Sequence, residues 1–257
     1  MERIILTMKW GDAFTCEDVN VLFNAAAANL TGEARFLCLT DDPHGLADYI
    51  EHRPIPETDT DPRIWAKGAW PKLSVFTDEL EGLSGRAIYL DIDTVICGPL
   101  DEMFEVQGPL ICLDSRPWRY KEGPARTGTG VFAFDIGNNA AIWKHFHTEK
   151  EMALATYSNE QDFLHGEFEK VIGASISYWP DPWIRSFKYH QRQKLGLDRI
   201  WGPKPPEPPA KILCFHGKPR PKALIRPPKG NWDVFPHYGR GPVKWMQDYW
   251  TRFGGKL

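Results

Sequence analysis

Two carboxylates, Asp91 and Asp93, flank Ile92 near the end of the run AIYLDIDTVI at 87–96, which is otherwise free of charge. Residues two apart on an extended segment project from one face. Burying two unpaired carboxylates there is costly, and a divalent cation resolves the conflict. Carboxylate oxygens suit Mg²⁺ and Mn²⁺, which keep coordination positions open for substrate phosphate oxygens. The competing reading is a pair of solvated acids leaving a strand into a turn.

His216 follows the apolar run Ile212-Leu213-Cys214-Phe215 and precedes Gly217 and Lys218. It is a candidate third metal ligand with a phosphate-binding cation beside it, and an imidazole tilts the choice toward Mn²⁺. A structural hydrogen-bonding role is the alternative. In Asn159-Glu160-Gln161-Asp162 the acids and the Asn suit a helix N-terminus through capping and the helix dipole. A functional reading instead turns Glu160 and Gln161 toward a bound substrate. The stretch Gly128-Thr129-Gly130-Val131-Phe132-Ala133 nominally fits a dinucleotide fingerprint, but it precedes a strand where that motif must follow one. Its glycines are read as permitting close approach of backbone to a ligand.

These residues need elements to hold them. Apolar patterning predicts strands at 4–8, 34–40, 87–96, 110–113, 131–134, 174–179 and 212–215, and helices at 16–29, 65–81, 140–156, 162–171 and 243–253. The alternation implies an α/β fold with a largely parallel sheet covered by helices on both faces, ligands binding beyond the carboxyl ends of the strands. A length of 257 residues fits one domain. That domain has two parts. Residues 1–182 carry 15 Lys and Arg against 30 Asp and Glu, whereas residues 183–257 carry 16 against 4 and include nine prolines between 203 and 228. The basic, Pro-rich extension suits an anionic partner, unless the two parts simply attract each other. Five cysteines without a CxxC pair suggest neither a disulfide framework nor a zinc cluster. The opening residues lack the apolar length of a signal peptide or membrane span, so a cytoplasmic location is expected. The last helix carries Trp245, Tyr249 and Trp250 beside Lys244 and Arg252. Peripheral contact with an anionic membrane is one reading of it, but Asp248 and the short length favour ordinary docking to the domain.

Taken in order, TMKWG at 7–11, LTDD at 39–42, WPKL at 70–73, YLDIDTVICGPLDEMF at 89–104, GTGVFAFD at 128–135, EQDFL at 160–164 and FHGKP at 215–219 resemble the motifs of the glycosyltransferase family 8-like group. The resemblance implies a GT-A fold, a Rossmann-like, mostly parallel mixed sheet flanked by helices. It implies a retaining, metal-dependent transfer of a hexose from a nucleotide-diphosphate sugar, a UDP-sugar by the family's habit, to a glycan or lipid-linked acceptor. Carried onto this chain, Thr7, Lys9 and Gly11 would cradle the base, and Lys72 would contact donor phosphate or sugar. Asp91, Asp93 and His216 would hold Mn²⁺ (or Mg²⁺) against the donor, Lys218 would grip the diphosphate, and Glu160 and Gln161 would sit at the donor sugar. The family's spacing is nearer HxxGxxKP than the HGKP found here, which leaves Arg220 and Lys222 as alternatives to Lys218. Glu160 also stands where Asp is commoner, one methylene longer.

Two other readings remain. Asp91-Ile92-Asp93-Thr94-Val95 also satisfies the nucleophile motif of haloacid dehalogenase-type, Mg²⁺-dependent phosphohydrolases. A catalytically inactive sugar-nucleotide-binding module would keep the same residues. Nucleic acid is not an expected partner, because the basic residues are scattered among prolines with no reading motif.

Overall fold

The structure is a computed structural model and describes residues 1–56, 59–78, 80, 82–119, 122–194 and 196–257. Its strands are β1 (Arg3–Lys9), β2 (Arg35–Thr40), β3 (Glu51–Arg53), β4 (Arg86–Leu90), β5 (Thr94–Ile96), β6 (Leu110–Asp114), β7 (Thr127–Asp135), β8 (Ser177–Tyr178), β9 (Ile184–Ser186) and β10 (Ile212–Cys214). Seven of them form one sheet in the order β3-β2-β1-β4-β7-β6-β8, in which β7 alone runs against the rest.

The apolar runs of β1, β2 and β4 are buried on both faces, as strands of a covered parallel sheet must be. Alternate residues divide between two cores. Ile5, Ile88, Val131 and Ala133 pack with the Cys16–Ala28 helix, while Ile4, Leu6, Tyr89, Phe132 and Phe134 pack with the Ala140–Thr148 and Glu160–Ile172 helices. The seven-stranded, mostly parallel sheet with helices on both faces is the layered α/β arrangement expected from the sequence. Among the described residues no helix is long and apolar enough to cross a membrane.

Two departures from the sequence expectation bear on the site. The run at 87–96 is two strands in different sheets: β4 ends at Leu90, the chain turns at 91–93, and β5 joins a small sheet in the order β5-β10-β9. The acid pair therefore lies in a turn and not on one strand face, since two carboxylates cannot continue into an apolar core without partners. The helix expected at 65–81 is instead a short helix, Pro62–Ala66, and a 3₁₀ segment, Trp70–Phe76, separated by Gly68 and Ala69 with φ of 87° and 51°. Pro71, lacking an N–H, starts the second piece where it could not continue the first; residues 79 and 81 lie outside the described residues.

The last helix forms where the sequence places it and docks on the domain. Lys244–Arg252 buries Met246 and Trp250. The Tyr249 hydroxyl accepts the Ile96 N–H (3.1 Å), and the Trp245 indole donates to Pro203 O (2.9 Å). Met246 and Trp250 thereby close the core, with Trp245 and Tyr249 half-buried beside them.

Candidate functional site

The site is built where β4 and β10 end and β5 begins. The Asp91 N–H donates to Gly130 O (2.9 Å), which extends the β4–β7 ladder by one residue. Asp91 O then accepts both the N–H (3.0 Å) and the hydroxyl (2.8 Å) of Thr94, closing the turn. Antiparallel pairing sets Thr94 opposite Cys214, and the Phe215 N–H donates to Asp93 O (3.3 Å), so His216 emerges beside the acid pair. Parallel pairing of β10 with β9 sets Ser186 beside Cys214, and the Ser186 hydroxyl lies 2.6 Å from His216 Nε2. The imidazole stacks on Trp118 (5.6 Å between centroids, 16° between planes) and on Tyr189 (5.8 Å, 20°).

A cleft of about 410 Å³ joins these residues to the opposite wall. It is lined by Lys72, Asp91, Asp93, Glu160, Gln161 and His216, and also by Ser115, Trp118, Arg126 and Thr129. Lys72 enters from the 3₁₀ segment. Gly68, which precedes that segment, has a left-handed φ, and a Cβ there would lie 2.7 Å from the Trp70 indole nitrogen. The Lys72 ammonium sits 2.8 Å from Asp91 Oδ1 and 3.3 Å from Glu160 Oε1, and donates to Thr129 O (3.2 Å). Glu160, only 4% exposed, opens the Glu160–Ile172 helix capped by Asn159, and accepts the Thr129 hydroxyl at 2.5 Å.

The charges are tightly linked. Burial works against the charge on Lys72, but Asp91 and Glu160 outweigh it and raise its pKa. Burial likewise lifts the Glu160 carboxyl above its usual range, against the pull of Lys72. Asp93 is pushed up to about 7, first by burial and then by the neighbouring charge of Asp91. Two carboxylates in this state mark a place short of positive charge. The oxygen and imidazole donors of Asp91, Asp93 and His216 suit Mn²⁺. Among the described residues, however, no three His, Cys, Asp or Glu side chains converge closely enough to hold a metal ion. His216 Nε2 is engaged by the Ser186 hydroxyl.

The other residues singled out in the sequence lie apart from this cleft. Thr7 is fully buried, its hydroxyl donating to Leu90 O (2.6 Å) across the β1–β4 pair. The Lys9 ammonium is held by Asp42 O (3.3 Å) and Asp41 (3.8 Å), and the Gly11 N–H donates to Asp41 (2.9 Å). Lys218 is exposed, one residue beyond the last cleft-lining member of its segment, Gly217. Arg220 and Lys222 line a neighbouring pocket that also reaches Asp93: Arg220 donates to Ala13 O (3.1 Å), covers the Phe14 ring and favours the charge on Asp93, and Lys222 pairs with Asp18 (2.7 Å) in the first helix.

Sequence reasoning passed over Thr129, Ser186, Trp118 and Arg126. Thr129 sits inside a motif read for its glycines. No local signal marks Ser186, which becomes a partner only through β9–β10 pairing. The Gly128–Ala133 stretch rejected as a dinucleotide motif lies wholly within β7.

No family model matches this chain, and no curated protein matches it in sequence. Solved structures do match. The galactosyltransferase LgtC, crystallised with donor and acceptor sugar analogs, superposes with a TM-score of 0.61 at 11% identity, over 99% of this chain and 97% of that one. The glycosyltransferase GlyE of Streptococcus pneumoniae gives 0.59 at 13% identity, over 98% of this chain and 62% of its own. The bifunctional glycosyltransferase WbbM gives 0.51 at 10%, over 86% and 46%. At such identities the likeness is one of fold.

Proposed function

We propose that this chain is a metal-dependent glycosyltransferase that moves a hexose from a nucleotide-diphosphate sugar, a UDP-sugar by family resemblance, to a glycan or lipid-linked acceptor with retention at the anomeric carbon. The observation that carries the reading is the convergence of Lys72, Asp91, Asp93, Glu160, Gln161 and His216 on one cleft at the carboxyl end of β4, where such sheets bind ligands. The neighbours' fold and names support it.

In this reading Asp91, Asp93 and His216 hold Mn²⁺, which when bound supplies positive charge to a departing diphosphate. The chain's own residues do the remainder. Lys72 offers a fixed ammonium beside the acids, preorganised and shielded from water, where a charge contributes most. Thr129 and Lys72 hold the Glu160 carboxylate in one orientation at the helix start. Gln161 presents an amide to the sugar's hydroxyls, and exposed Lys218 meets the diphosphate at the cleft mouth, with Arg220, which acts on Asp93 from the neighbouring pocket, as the alternative. Thr7, Lys9 and Gly11 stay assigned to the base side.

The test is hydrolysis of a panel of nucleotide sugars with Mn²⁺, Mg²⁺ or chelator, comparing the native chain with Asp93→Ala. Mn²⁺-dependent release of a nucleoside diphosphate, abolished in the variant, is the expected result. Full activity in chelator would assign the charge role to Lys72 without a metal. Donor binding with no turnover would make the chain a binding module. Hydrolysis of phosphate esters with no action on nucleotide sugars would replace the reading with the phosphohydrolase one.

A further inference from the structure

Five exposed apolar side chains of the C-terminal part come from two neighbouring loops. Phe235 is 75% exposed, Val234 72%, Ile200 71%, Trp201 59% and Tyr238 44%. The loops touch: the Arg199 guanidinium lies 5.8 Å from the Tyr238 ring centre, and the Phe235 and Tyr238 rings are 5.9 Å apart. Contiguous apolar surface of this kind marks an interaction site.

The loops are braced from beneath. His237 Nδ1 meets the buried Asp198 carboxylate at 3.1 Å, while Arg192 spans Asp233 (2.5 Å) and His237 Nε2 (2.7 Å). The Trp232 N–H donates to Gly239 O (2.9 Å), closing the second loop over a buried indole so that Val234 and Phe235 stand at its tip. An exposed apolar tip held this way is not a collapsed loop awaiting a core.

Charge decides the occupant. Across 192–204 and 226–240 lie seven Lys and Arg and only two acids, Asp198 and Asp233, both consumed in the brace. Lys194, Arg199, Lys204, Lys229 and Arg240 are all exposed. A second copy of the chain related by a two-fold axis would set these cations against each other. Exposed Trp, Phe and Tyr on loops whose free charges are cationic match the headgroup region of an anionic bilayer, which accepts aromatic rings and attracts Lys and Arg. We propose that the loops 199–201 and 234–238 dock the protein on an anionic lipid surface. The inference stands on this face alone and does not depend on the glycosyltransferase reading. Tyr189, only three residues before the Arg192 brace, stacks on His216, so docking would bring the cleft close to the membrane.

Flotation with phosphatidylcholine vesicles, with and without a phosphatidylglycerol fraction, tests it. The native chain should float with the anionic vesicles, less so as salt is raised. A Trp201→Ser/Phe235→Ser variant should bind roughly tenfold more weakly or worse, with an unchanged thermal midpoint because both side chains are exposed. Absence of anionic-vesicle binding, equal binding by the variant, or a concentration-dependent dimer that the variant loses while vesicles go unbound would each overturn the proposal.

Discussion

Thr129 shows how one hydroxyl sets the state of the cleft. Its Oγ donates to Glu160 and its carbonyl accepts from Lys72, so the single residue ties the acid to the base across two elements. Replacing it with Val keeps the shape and removes the donor, leaving a buried carboxylate short of a partner. Thr129→Val should therefore cost about 1–3 kcal/mol in urea unfolding, whereas Thr129→Ser should restore most of it. If Val and Ser behave alike, the hydroxyl is not holding Glu160. The same logic explains why Lys72 is legible as important from its motif while its protonation is not. Burial alone would neutralise it, and only the placement of Asp91 and Glu160 keeps it charged.

At the scale of elements, the 3₁₀ segment that carries Lys72 depends on the left-handed break before it. Gly68 has a φ of 87°, and any Cβ there meets the Trp70 indole and the Ser158 carbonyl. That indole stacks on Phe146 and meets Phe163 edge-on, so it has no room to yield. Gly68→Ala is expected to lose on the order of 1–3 kcal/mol and to lower activity as Lys72 shifts. Denaturation midpoints and nucleotide-sugar turnover measured on the same preparation check both parts. A helical reading of 65–81 could not foresee this, because the periodic Leu73 and Phe76 satisfy a helix and a 3₁₀ turn alike, and the deciding residues are Gly68 and Pro71.

Across the whole molecule, some of the charge asymmetry is spent inside the chain. Lys222 pairs with Asp18, Lys211 with Glu102 (2.8 Å), and the Lys256 N–H donates to Glu17 (2.8 Å), each joining the basic extension to the acidic part. The small sheet does the same with backbone, since β5 comes from one part and β9 and β10 from the other. The Lys222–Asp18 pair is partly exposed on the lysine side, so a double-mutant cycle with Lys222→Ala and Asp18→Asn should give a coupling of only about 0.5–1 kcal/mol. It should shrink further in concentrated salt. A coupling that persists in high salt would show a buried, structurally essential clamp instead. Among the cations that stay exposed are Arg199, Lys204, Lys229 and Arg240, on the segments that carry the apolar residues at 200–201 and 234–238.

Local chemistry was written in the sequence wherever one residue conflicts with its surroundings. Asp91 and Asp93 interrupt an apolar run, His216 follows another, and Glu160 and Gln161 open a capped helix; all five reach one cleft with Lys72. The α/β alternation was legible for the same reason, since apolar period is a property of neighbours in sequence. What packs against what is not. Only tertiary structure split 87–96 between two sheets, delivered Ser186 to His216 through strand pairing, and held Thr7 behind the site with its hydroxyl on Leu90. It also turned the aromatic last helix inward while leaving Trp201 and Phe235 in the open. An indole reads the same in either place, and the surface that covers it or fails to is set by residues far away in the chain.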